Sequence, residues 1–195
     1  LRFDEKRVEK VLVDETREYY ELLCALQAHK GPVPQASFDL LERALTERLD
    51  QNLERIFRLL GLRYPPKDIY SAYLGLVSNK RALRASAVEF LDNVLDSSLK
   101  KYLFPIIDEG TPEAIARRGQ ELFGVRFDTR EAALEHLIQG RDPWLRACAV
   151  YRAGCDRNPK LSYPVECARR DPDPIVRETA ELAWRMMEAG PVQER

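Results

Sequence analysis

The sequence predicts an all-α chain in which a long helical hairpin precedes a solenoid of stacked helix pairs. Three observations carry this. Near the N-terminus, apolar residues recur at three- and four-residue steps over two long stretches. Beyond residue 63 a 31-residue frame recurs, most plainly as "DPWLRACAV" (142–150) and "DPIVRETAE" (173–181). No stretch alternates β-branched with polar residues as a half-buried strand does.

The first helix is expected over 4–28, on the stripe Val8, Val11, Leu12, Tyr19, Leu22, Leu23 and Leu26. "HKGPVPQAS" (29–37) breaks it with one Gly and two Pro. The second is expected over 37–60, with Ser37 as N-cap, the stripe Leu41, Leu45, Leu49, Leu53, Ile56, Phe57 and Leu60, and Gly61 as its C′ residue. Residues 1–62 thus read as an N-terminal long-helix pair, antiparallel because the break is short.

After "RYPP" (63–66) the helices shorten, falling near 66–78, 80–95, 98–108, 112–123, 129–139, 143–154, 160–170 and 174–188. With Asp142 and Asp173 as anchors, the frame steps back by 31 to Thr111 and Lys80. Three positions past the anchors lie Leu83, Ala114, Leu145 and Val176; eleven past lie Leu91, Leu122, Ala153 and Trp184. Eight before lie Ala72, Leu103, Leu134 and Val165; five before lie Gly75, Ile106, Leu137 and Ala168. The frame predicts four repeats over 63–188 and a C-terminal tail over 189–195, with Trp184 in the core. The second copy is degenerate: Ile115 and Arg118 replace the Arg and Ala of the others.

Each part of the frame has a physical use. Asp or Thr caps a helix by accepting backbone N–H bonds, worth about 1 kcal/mol. Pro suits the first helical position because its missing N–H would be unpaired there. Small Ala lets a partner helix come close, and a single pair cannot bury that face without a neighbour.

The frame resembles the HEAT-repeat signature, Asp-Pro-x-Val-Arg-x-x-Ala, over residues 64–188; "KRALRASAV" (80–88) matches in part. The resemblance implies a right-handed α-solenoid of HEAT-like helix pairs. It also implies an Asp–Arg ladder between stacked repeats, formed by Asp142, Arg146, Asp173 and Arg177. The repeat itself brings like residues of stacked units together, so Arg177 is expected to reach a carboxylate or carbonyl of the preceding unit, Asp142 foremost. Lys80 and Ile115 depart from the pattern. More narrowly, residues 55–96 and "LKKYLFPIID" (99–108) look like the soluble HEAT-containing part of bacterial membrane proteins related to major-facilitator transporters and ATP/ADP translocases. That resemblance implies a cytoplasmic module tethered to the inner face of the membrane through an adjoining membrane domain.

Charged residues make up 32% of the 195, yet the net charge is -1. Mixed charge of this kind fits solvated helix faces and counts against a dedicated nucleic-acid binder. The apolar runs fall far short of the roughly 20 residues that span a bilayer. The charged start, "LRFDEKRVEK", is unlike a signal peptide, and the initial Leu reads as a chain cut from something longer or missing its first residues. Cys24, Cys148, Cys155 and Cys167 form no C-x-x-C pair, and His29 and His136 stand apart. The four cysteines are expected to be buried and reduced, with no metal or cofactor. A contact among Cys148, Cys155 and Cys167 across a helix pair is the alternative.

Candidate chemistry is sparse. Carboxylates one turn apart, such as Asp92 and Asp96, read as solvated faces; Cys24 and His29 are on different helix faces; no phosphate loop or H-E-x-x-H is present. Tyr64, Tyr70 and Tyr73 beside the Pro-Pro break read either as a recognition surface or as the filling of a hinge. Trp144 stands where the other copies have Ala82, Glu113 and Ile175, and is a candidate interaction anchor. Arg117, Arg118, Arg126, Arg130 and Arg141 read either as an anion-binding group or as surface paired with Glu113, Glu121, Asp128 and Glu131. The functional expectation is a non-catalytic protein-interaction or regulatory module that binds a protein partner. The alternatives are a nucleic-acid or base-excision protein of HEAT-like build and an enzyme resembling bilin lyases.

Overall fold

The computed structural model describes residues 4–30, 39–108 and 110–189. Among them are ten α-helices and a short 3-10 turn, and no strand. None of these helices is long and apolar enough to cross a membrane. The helices are α1 (Glu5–Lys30), α2 (Leu40–Leu60), α3 (Pro66–Leu76), α4 (Arg81–Val94), α5 (Ser97–Ile107), α6 (Pro112–Phe123), α7 (Arg130–Ile138), α8 (Pro143–Asp156), α9 (Ser162–Ala168) and α10 (Pro174–Glu188).

Ser37, the predicted cap of α2, lies outside the described residues. Asp39 caps that helix, its carboxylate accepting from the N–H of Leu41 at 3.0 Å and of Glu42 at 3.2 Å. Gly61 follows α2 but does not adopt the left-handed conformation of a C′ glycine; Gly124, after α6, does, at φ 69°.

The chain forms two compact units. One comprises 1–23 and 48–126, the other 24–47 and 127–195, so α1 and α2 each give a segment to both. In the first unit Val8, Leu12, Ile56, Phe57 and Leu60 share a core with Ile69, Leu76, Leu91, Leu99 and Leu103. Gly75 lets α3 close on α4; a Cβ there would stand 2.9 Å from that of Ala87. Tyr20 is fully buried and donates its hydroxyl to the Tyr102 carbonyl at 2.9 Å. Gly119 of α6 packs on that ring, where a Cβ would meet Tyr20 Cδ1 at 2.7 Å. In the degenerate second copy, then, the small buried residue sits one place later than the Ala column: Arg118 is exposed and Gly119 is buried.

In the second unit α8 packs on α7 and on α10. α8 and α10 come close at Gly154, where a Cβ would stand 2.6 Å from Ala183 Cα. Within each unit the column eight before the anchors is buried: Ala72 and Leu103 in one, Leu134 and Val165 in the other. Other columns are uneven. Leu145 and Val176 are buried while Leu83 and Ala114 are exposed. Trp184 is not core. Val176, Ala180 and Ala183 form the buried stripe of α10, and Trp184, 100° further round, is half-buried beneath Arg169 with its indole N–H on Glu188 at 2.8 Å.

Candidate interaction surface

The frame's anchors act at the helix starts. Asp142 accepts from the N–H of Leu145 at 2.9 Å, Asp173 from Ile175 at 2.9 Å and Val176 at 3.3 Å, and Thr111 from Ala114 at 3.3 Å. Lys80, lacking an acceptor, gives no side-chain cap. Four residues into the frame, the arginines fold back over the preceding loop, because a helical Cα–Cβ bond leans toward the N-terminus. Arg146 donates to the carbonyls of Gly140 at 3.2 Å and Arg141 at 2.9 Å. It also makes a bidentate pair with Asp171, Nε to Oδ2 at 2.9 Å and Nη2 to Oδ1 at 2.8 Å. Arg84 behaves alike in the first unit, donating to the carbonyls of Leu76 at 2.8 Å and Ile107 at 2.9 Å.

The expected Arg177–Asp142 contact is not made. Arg177 donates to the Asp171 and Pro172 carbonyls of its own preceding loop, at 2.7 and 2.8 Å. The inter-copy tie therefore runs forward, from Arg146 to the next loop. Its acceptor is Asp171, two residues ahead of the frame's Asp173.

That tie brings together the beginnings of α8 and α10, and the Gly154–Ala183 contact their later turns, so the two helices run parallel, with contacting residues offset in the frame. On them Trp144 is 50% and Ile175 58% exposed at one register position, and Tyr151 39% and Leu182 49% exposed seven residues on. Seven residues is two helical turns, so each pair lines one face. The corresponding residues of the first two copies are Ala82 with Glu89 and Glu113 with Gln120. Sequence reasoning singled out Trp144 and missed Tyr151, Ile175 and Leu182. The column nine past the anchors, Glu89, Gln120, Tyr151 and Leu182, carries the signal.

The three tyrosines divide. Tyr64 donates to Asp96 Oδ2 at 2.8 Å and accepts from the Asp96 N–H at 3.2 Å, while Arg63 joins Asp96 at 2.6 Å and Glu9 at 3.1 Å. Tyr73 packs on Phe57, ring centroids 5.5 Å apart, and Tyr70 is exposed on α3. Beside Tyr70 the α3–α4 pair forms an apolar groove.

Arg117, Arg118 and Arg126 are exposed in the first unit and Arg130 is half-buried in the second. Arg118 pairs with Glu121 at 2.6 Å, and Arg130 Nη2 lies 3.4 Å from Asp156 Oδ2.

A buried polar cluster in the second unit was not legible in the sequence. His29 Nε2 and Asp39 Oδ2 are 2.6 Å apart, their side chains 2% and 10% exposed. Arg152 lies 3.5 Å from Asp39 and pairs with Asp156 at 2.7 Å. Burial holds the His29 pKa below the usual imidazole value, against the pull of Asp39. Burial raises that of Asp39, but the His29 hydrogen bond and nearby positive charge bring it below the usual carboxylate value. With the ring neutral and Nε2–H donated to Asp39, the buried Nδ1 is an acceptor without a partner. A general base must reach the proton it takes, and this ring is enclosed; the cluster reads as a clamp on the ends of α1 and α2.

Cys24 and Cys148 are buried thiols; Cys155 and Cys167, against expectation, are exposed. They lie on the outer faces of α8 and α9, four residues after exposed Tyr151 and Tyr163. Among the described residues no group of three or more His, Cys, Asp or Glu is placed to hold a metal ion. Comparison with family models, with curated proteins and with solved structures finds no match for this chain.

Proposed function

We propose that the chain is a non-catalytic protein-docking module, a HEAT-like array whose third and fourth helix pairs present the contact face. The observation that carries this reading is the stripe of Trp144, Tyr151, Ile175 and Leu182 on two parallel, closely packed helices. Tyr and Trp supply large contact area at little entropic cost and are enriched at the centres of interfaces. The side chains stand on regular helices held by a bidentate ion pair, so the face is organised before a partner arrives. On the transporter-like reading, the partner is an adjoining membrane domain of the same longer protein.

A photo-crosslinking amino acid at position 175 or 182, introduced in cells that make the full-length protein, tests this. One discrete protein adduct is expected from both positions, lost with Trp144→Asp and absent when the probe stands at Glu89. An adduct within the same polypeptide identifies an adjoining domain, and one between polypeptides a separate partner. Adducts to nucleic acid, or none from either position, would overturn the proposal.

A further inference from the structure

The groove between α3 and α4, in the first unit, holds about 400 Å³ and is lined by Asp68, Ser71, Gly75, Leu83, Ala87 and Phe90. Three 31-residue periods later the same register positions are Leu161, Pro164, Ala168, Val176, Ala180 and Ala183. All six of those are buried. They belong to the α9–α10 pair, on which α7 and α8 pack, with Gly154 pressed against Ala183. At these six positions the groove corresponds to surface that is buried in the second unit, where α7–α8 packs on α9–α10; at the groove's outer edge the match ends, since Leu74 corresponds to exposed Cys167 and Ser86 to half-buried Thr179. Here it is open: Leu83 is 50% exposed where Val176 is 0%. Tyr70, Leu74 and Val77, at four- and three-residue steps, form an exposed apolar strip at the groove's rim, where the second unit has exposed Tyr163, Cys167 and Arg170.

We propose that this groove is a stacking site for a helix pair of a partner protein, seated on α3–α4 as α7–α8 is seated on α9–α10. The facing helix of the partner carries Gly or Ala at the crossing, because Phe90 occupies the place of Ala183 and needs more room opposite it. A second copy of the chain fits less well. Two concave grooves brought together by a two-fold axis leave each hollow unfilled. Head to tail, the copy would offer α10, where Arg185 stands one period after Gly154 and would drive a guanidinium into an apolar site. This site is separate from the α8–α10 stripe and stands without it.

The test is selection against the full chain from two displayed libraries, a helical-hairpin scaffold randomised along one helix face and a set of linear peptides. Hairpins with Gly or Ala at the centre of that face are expected to be enriched. Leu83→Glu and Leu74→Glu, made separately, should each weaken their binding about tenfold or more, while Ile175→Glu leaves it unchanged. Unaltered thermal melts of the variants certify the fold, and Leu83→Gln replaces Leu83→Glu if its melt drops. Three results would overturn the proposal: no enriched hairpin, enriched hairpins indifferent to both substitutions, or linear peptides that outcompete them in the groove. Concentration-dependent dimerisation of the wild type that Leu83→Glu abolishes would also overturn it, assigning the groove to a second copy.

Discussion

Arg146 holds Asp171 through two parallel hydrogen bonds while its remaining donors close on the carbonyls of Gly140 and Arg141. The side chains are 12% and 11% exposed, so removal of the guanidinium leaves a carboxylate with little access to water. Arg146→Ala should lower unfolding free energy by about 2–3 kcal/mol. Arg146→Lys should recover less than half of that, since an ammonium cannot span both oxygens. Urea denaturation of the two variants measures both.

Arg177 makes only the carbonyl half of this arrangement and is exposed. Arg177→Ala should therefore cost about 0.5–1 kcal/mol. A loss equal to that of Arg146→Ala would mean that the bidentate pair adds nothing.

Gly154→Ala tests the closeness of α8 and α10. Alanine favours a helix interior over glycine by about 1 kcal/mol, yet the new methyl would stand 2.6 Å from Ala183 Cα and 2.7 Å from its Cβ. Backbone cannot swing aside as a side-chain tip can. A net destabilisation of about 2 kcal/mol is expected, read as a fall in melting temperature; a stabilised variant would refute the contact.

Acid should act on the buried cluster in two stages. The folded-state pKa of His29 is depressed, so the unfolded chain takes that proton first. Its contribution is complete above about pH 6.5 and is lost as pH falls toward the depressed value. Asp39 and Asp171 are also depressed in the folded state. Burial opposes this at both, outweighed by the His29 bond at one and the Arg146 bonds at the other. Their contributions persist above about pH 4 and are lost below it. His29→Gln should flatten the first stage of a stability–pH curve and leave the Asp171 part of the second.

Thiol chemistry should divide the cysteines in pairs. Burial pushes the Cys148 pKa to about 11, with Asp39 and Glu47 adding to it. Cys155 and Cys167 are exposed. Iodoacetamide at mildly alkaline pH should modify those two in the native protein and reach Cys148 and Cys24 only on unfolding, as intact-mass measurement would show.

What was legible in the sequence was what depends on register alone. The buried column from Ala72 to Val165 and the caps at Asp142 and Asp173 follow from a repeat and from the chemistry of helix starts. The Arg146–Asp171 tie was not legible in its direction, because a conformational lean of the side chain decides which loop it meets. Trp184 and Ala183 differ by one residue, and a strict period cannot say which of two neighbours faces the partner helix. His29 and Asp39 meet although they stand ten residues apart on different helices' ends, and no spacing rule announces that pair. Trp144 was visible as an oddity in its column; its three companions needed the exposed face to be seen whole.

Both compact units are discontinuous in the chain, and this bears on how the protein is made. The segment 24–47 belongs with 127–195, so 48–126 must be synthesised before its partners emerge. At ribosomal speeds that delay is roughly 4–16 s. Through it Leu41 and Leu45, buried in the finished fold, lack whatever 127–195 contributes to their unit, and Asp39 lacks Arg152. The nascent protein therefore passes through a stage at which the start of α2 waits, unfinished, for the last third of the chain.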